Sequence, residues 1–151
     1  MILLSGVDGP TSYHTYAAEV AELGYYAILL DGNSVNDFRD LRRVIGRAQS
    51  SAKALPGKAA LIGFSLGGGH ALTYAAGMPN LVSAIVAYYP KTNHIMNMRS
   101  FVADFNVPIL VLAGESTYAG HVYGHREWKR AAKAVLDGVN SIEQVLLKKQ
   151  G

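Results

Sequence analysis

The sequence predicts one α/β domain over residues 1–151, a three-layer sandwich in which a mainly parallel sheet of about six strands carries helices on both faces. Three observations predict it. Apolar runs of strand length alternate with helical patterns throughout the chain, and most of these runs are apolar on both faces, as strands buried between helix layers must be. No linker, repeat or low-complexity stretch interrupts the alternation, so the intervening helices serve as right-handed crossovers between parallel neighbours.

Taken in order, the strands are expected at Met1 to Ser5, Tyr25 to Leu30, Ala59 to Phe64, Val82 to Tyr88, Pro108 to Ala113 and Ile142 to Leu147, bounded mostly by Gly, Pro, Asn or Asp. Helical patterns fill the intervals at Thr11 to Leu23, Val35 to Leu55, Leu66 to Ala76, Met96 to Phe105 and Arg126 to Leu136. The second of these is the clearest. Phe38, Leu41, Ile45, Ala48 and Ala52 recur at three- and four-residue spacing, with Arg39, Arg42, Arg43 and Arg47 mostly elsewhere.

Composition narrows the function classes. With 151 residues the chain buries enough surface to fold without disulfides or metal, and the absence of Cys excludes a disulfide framework, a thiol nucleophile and a Cys-ligated metal. The formal charge is only +3, and the arginines above together with Lys148-Lys149 read as solvated helix faces rather than a nucleic-acid patch. Met1-Ile2-Leu3-Leu4 is too short for the apolar core of a signal peptide, and no run approaches a membrane span, so the expected location is the cytoplasm, with no membrane partner.

In an open sheet of this kind ligands bind beyond the carboxyl ends of the strands. The residues there are Ser5-Gly6-Val7-Asp8-Gly9, Asp31-Gly32-Asn33, Ser65-Leu66, Tyr89-Pro90-Lys91 and Gly114-Glu115-Ser116-Thr117. Within Gly63-Phe64-Ser65-Leu66-Gly67 a strand turns directly into a small-residue helix, the context of a nucleophile elbow. Such a turn strains the serine backbone and demands glycine two residues to either side, which Gly63 and Gly67 supply. The helix also aims N–H groups and the positive end of its dipole at the place where an oxyanion would form. Ser65 is therefore the candidate nucleophile. Asp31 reads as a cap on its own turn, and Asp8 as a residue bonding its own turn or a substrate hydroxyl.

These pieces, with Gly24-Tyr25, Ala87-Tyr88-Tyr89-Pro90 and Pro108 to Glu115, resemble the α/β-hydrolase superfamily and, within it, the dienelactone-hydrolase-like group. The resemblance implies attack on an ester or lactone carbonyl by the nucleophile, with a histidine base oriented by an acid, and no metal or organic cofactor. It implies an oxyanion hole formed by the N–H of Leu66 and that of Val7 or Gly6. The name-giving enzymes carry cysteine where this chain has Ser65. Their acid falls at the position occupied here by Thr117, leaving Glu115 as the nearby substitute or as ordinary sequence. Their histidine follows the last strand, beyond Gly151, so the chain reads as a truncated product, a fragment or a minimal form; the family's two strands before Met1 are missing likewise. His121, in a loop with His125 that could bend toward Ser65, is the preferred internal substitute, against a solvated loop histidine; His70 reads as a packed helix residue pointing away from Ser65, and His14 and His94 are placed by no motif.

The leading expectation is thus a small serine hydrolase of carboxylesterase or lactonase type acting through a Ser65 acyl-enzyme on a small-molecule ester or lactone. The alternative is a catalytically incomplete scaffold serving in binding or assembly. A first strand left as an exposed edge would suit a homodimer. A nucleotide-binding domain is disfavoured, because neither the dinucleotide fingerprint nor P-loop spacing fits the Gly-rich run.

Overall fold

A computed structural model gives the fold and describes residues 1–92, 96 and 98–112. The elements run β1 (Ile2–Leu4), α1 (His14–Glu22), β2 (Ile28–Leu30), α2 (Phe38–Gln49), β3 (Ala59–Phe64), α3 (Leu66–Ala75), β4 (Val82–Tyr88), α4 (Met98–Ala103) and β5 (Ile109–Leu112), with single 3-10 turns at Thr11–Tyr13 and Gly32–Ser34. All neighbouring strands are parallel, in the order β2-β1-β3-β4-β5. Leu4 lies level with Gly63, and Phe64 with Tyr88, so three strands finish together at one edge.

Alternation along the strands sends successive side chains to opposite faces and builds two cores. Ile2, Leu4, Leu61, Ile85 and Ala87 face a large aliphatic core with Leu41 and Ile45 of α2, Leu72 of α3 and Val102 of α4. Leu3, Ile62, Phe64, Val86 and Tyr88 face Tyr16, Ala17 and Val20 of α1 across a smaller, aromatic-rich core. The chain is therefore the expected sandwich, with α1 on one face and α2, α3 and α4 on the other. Leu41 and Ile45 are fully buried; each contributes about 1.5–3 kcal/mol by leaving water.

The structure corrects the sequence reading at three places. The first strand is not an edge: Ile2 pairs with both Ile28 and Leu61, and the edge beyond it is β2. The burial pattern explains why, since Ile2 to Leu4 are all buried whereas β2 is half-buried throughout. The long helix expected over Val35 to Leu55 is shorter at both ends. Asp37 caps it by accepting hydrogen bonds from the amides of Arg39 (2.8 Å) and Asp40 (3.0 Å). At its other end the Ser50 hydroxyl donates to the Arg47 carbonyl (2.9 Å), and Ala52 and Leu55 are exposed. Phe38, at the first helical position, is half exposed instead of packed. The third correction is β2, which begins at Ile28 rather than Tyr25. The expected strand at Ile142 to Leu147 and helix at Arg126 to Leu136 lie outside the described residues. No helix among the described residues is long and apolar enough to cross a membrane.

Candidate active site

One residue, Ser65, separates β3 from α3, and the turn is made at φ 49° and ψ −108°. Side chains other than glycine rarely adopt that backbone, which costs of order 1–3 kcal/mol and persists only where the surroundings impose it. Three hydrogen bonds impose it here. The Ser65 amide donates to the Tyr88 carbonyl (2.8 Å), and the Ser65 carbonyl accepts from the amides of Gly69 (3.0 Å) and Lys91 (2.8 Å).

The glycines around it are required by contact. A Cβ on Gly63 would lie 2.6 Å from the Gly67 carbonyl carbon and the Gly68 Cα, because the first turn of α3 folds back over β3. A Cβ on Gly67 would lie 2.6 Å from the Ser5 carbonyl oxygen, which already accepts the Gly67 amide at 3.1 Å, and would collide with the Leu4 carbonyl. Gly69 is pressed in the same way against the Lys91 carbonyl. The turn after β1 and the turn after β4 thus clamp the elbow from both sides.

The turn after β1 is itself anchored. The buried Ser5 hydroxyl accepts from the Gly32 amide (3.0 Å) and donates to the Gly6 carbonyl (3.1 Å). The Asn33 side-chain amide donates to the Val7 carbonyl (3.0 Å) and to Asp31 (2.9 Å), while Asp31 accepts the Asn33 backbone amide (2.9 Å), the cap expected of it. Asp8 is exposed and makes no hydrogen bond among the described residues, contrary to its expected bond within the turn.

Several N–H groups beside Ser65 are left over. Among the described residues, the amides of Gly6, Val7 and Leu66 donate to nothing. Leu66 is the first residue of α3 and has no intrahelical acceptor, and no acidic side chain occupies that first turn. Gly6 is buried, where an unpaired amide is rare and costly. Free donors at a helix N-terminus suit a developing negative charge on a carbonyl oxygen. Nearby, the Ser65 hydroxyl also has no hydrogen-bond partner among the described residues.

An aromatic wall stands behind the elbow. Phe64 stacks on Tyr88 (5.0 Å, 14°), Tyr16 meets both edge-on, and Tyr13 lies 4.5 Å from Phe64. The Tyr16 and Tyr88 hydroxyls are 3.4 Å apart, and burial, followed by this hydrogen bond, pushes the Tyr16 hydroxyl up to about 12. Tyr88 thus belongs to the core. Tyr89, the next residue, turns outward at φ 45° and is 41% exposed. His70 stacks on Tyr74 within α3 (5.3 Å), as a packed helix residue would, and His14 is exposed at the start of α1. Glu115 and His121, with Thr117, His94 and His125, lie outside the described residues. A cavity of about 470 Å³ at the amino ends of β1 and β3, lined by Met1, Tyr25, Gln49 and Lys58, is at the far end of the sheet from Ser65. The position of Tyr13 was not legible in the sequence, because its closeness to the elbow arises from tertiary packing.

Comparison with known proteins agrees with this architecture. Residues 30–134, more than half of the chain, match the dienelactone hydrolase family. A candidate dienelactone hydrolase from Klebsiella pneumoniae is similar in structure at a TM-score of 0.75 and 20% identity, covering 98% of this chain and 72% of its own. A dienelactone hydrolase-like promiscuous phosphotriesterase from metagenomic libraries gives 0.73 at 18% identity, covering 98% and 69%. Est1E from Butyrivibrio proteoclasticus gives 0.69 at 14%, covering 98% and 77%. No curated protein matches the chain. The structural likenesses establish the fold, and the family match establishes kinship: the chain belongs to the dienelactone hydrolase family, a hydrolase of the α/β fold.

Proposed function

We propose that the protein is a small serine hydrolase acting on the ester or lactone bond of a small molecule. The observation that carries this reading is the strained Ser65 at φ 49°, set beside the free amides of Gly6 and Leu66. On this reading the Ser65 Oγ attacks the carbonyl carbon and its proton passes to a histidine. The carbonyl oxygen becomes an oxyanion held by the Leu66 amide and that of Gly6 or Val7. Collapse expels the alcohol, which takes the proton, and leaves an acyl group on Ser65 that water then removes by the same route. His121 is the proposed base and Glu115 the acid that orients it. The buried, unpaired amide favours Gly6 over the exposed Val7 as the second donor. The short connection from Asp31 to Phe38 supports an open cleft and a broad range of acyl groups.

Intact mass after incubation with a fluorophosphonate tests the reading without knowledge of the substrate. The expected result is one adduct on the wild-type chain and none on Ser65→Ala. An unmodified wild-type chain would instead favour a scaffold that retains the elbow without an activated serine.

A further inference from the structure

Gly6 presents a fact that the nucleophile, base and acid leave unused. Its φ lies outside the left-handed region, so its backbone makes no demand for glycine. A Cβ placed there would make ordinary contacts at 3.5 Å with the Ser65 Cβ and 3.6 Å with the Phe64 carbonyl oxygen. It would also lie 2.9 Å from the Tyr13 hydroxyl oxygen, closer than real Cβ atoms come. The steric demand for glycine at position 6 therefore comes from Tyr13.

Tyr13 ends the 3-10 turn Thr11–Tyr13, with its ring held 4.5 Å from Phe64. Its hydroxyl makes no hydrogen bond among the described residues. No buried side-chain oxygen or nitrogen there lacks a partner, so this free hydroxyl opens to solvent. The Tyr13 oxygen and the Ser65 Cβ both lie within 3.5 Å of one point, the place where a Gly6 Cβ would be. The Tyr13 hydroxyl and the Ser65 side chain therefore border the same small volume.

Resting on the reading of Ser65 as nucleophile, we infer that the Tyr13 hydroxyl is a third donor to the oxyanion. No proton is transferred: the phenol hydrogen-bonds the carbonyl oxygen as it gains charge, alongside the amides of Gly6 and Leu66. A hydrogen bond to an ionised oxygen is roughly twice as strong as one to a neutral carbonyl, so the interaction favours the transition state over the bound ester. Gly6 then has two functions, to present its amide and to leave the notch through which the hydroxyl reaches.

The test compares wild type, Tyr13→Phe, Gly6→Ala and the double variant. Fluorophosphonate adduct formation on Ser65 gives the rate, p-nitrophenyl acetate hydrolysis gives kcat and KM, and thermal unfolding gives stability. Tyr13→Phe should form the adduct between about tenfold and a hundredfold more slowly, the range for a hydrogen bond to a charged group. Its kcat should fall in step while KM and Tm hold. Gly6→Ala should lower Tm in the wild-type background and lower it much less once the Tyr13 oxygen is gone. A Tyr13→Phe rate equal to wild type, or a raised KM at unchanged kcat, would overturn the donor role and leave the serine reading standing. Equal Tm losses for Gly6→Ala in the two backgrounds would overturn the placement of the hydroxyl. A wild-type chain that forms no adduct overturns the serine reading itself, and the donor role with it.

Discussion

Around the elbow at the carboxyl end of β3 glycine stands where two backbone segments touch, whereas at the amino ends of the sheet it stands where the chain turns in open space. Gly63, Gly67 and Gly69 have no room for a Cβ, yet none has positive φ. Gly24 and Gly57 have positive φ of 91° and 125°, with nothing within 4 Å of where a Cβ would go. The elbow glycines are constrained by contact and the two at the amino ends only by dihedral angle, while Gly9 in the turn after β1 (φ 81°) is of the second kind. Contact fixes atoms against one another, which is what the proposed set of oxyanion donors requires. A dihedral preference only directs the chain, and the cavity at that end carries no comparable clamp.

The same substitution at the two ends should separate these constraints. Gly67→Ala forces apart β1 and α3 and is expected to cost at least about 3 kcal/mol of unfolding free energy in denaturant titration. A loss below 1 kcal/mol would mean that the contact at the carboxyl edge yields easily and that the contrast is false. Gly24→Ala meets only the left-handed penalty and is expected to cost about 1–2 kcal/mol; adduct formation on Ser65 should be untouched by it. Equal losses at both positions would erase the distinction between contact and dihedral control.

The smallest expected effect lies in the aromatic wall behind the elbow. The folded chain holds the Tyr16 proton up to about 12, against 10.0 for the free side chain. The resulting contribution is complete below about pH 10 and is lost as the pH rises towards 12, because the unfolded chain releases that proton first. Unfolding free energies measured from pH 9 to 12 should therefore decline more steeply for wild type than for Tyr16→Phe. Parallel profiles would show that the wall does not hold the proton.

What was legible in the sequence follows the range of the interactions. The bounds of β3 and β4 matched the expectation residue for residue, because both are apolar runs between clear breaks. Ser65 was legible because strand, elbow and helix are contiguous. The extent of α2 was misjudged because Ala52 and Leu55 continue its apolar spacing, while the Ser50 hydroxyl competes for the Arg47 carbonyl. The place of β1 inside the sheet was misread because strand order depends on partners far along the chain. Tyr13 was missed for the same reason: a hydroxyl filling the notch of a glycine seven residues earlier leaves no pattern in composition or period.

All three hydrogen bonds that hold residue 65 use its amide and carbonyl, and none uses its side chain. The elbow is consequently a socket that recognises backbone alone. On the proposed reading of Ser65, such a socket separates the address of a reactive group from its identity, so one codon can exchange the chemistry at the centre of the site while the scaffold around it stays as it is.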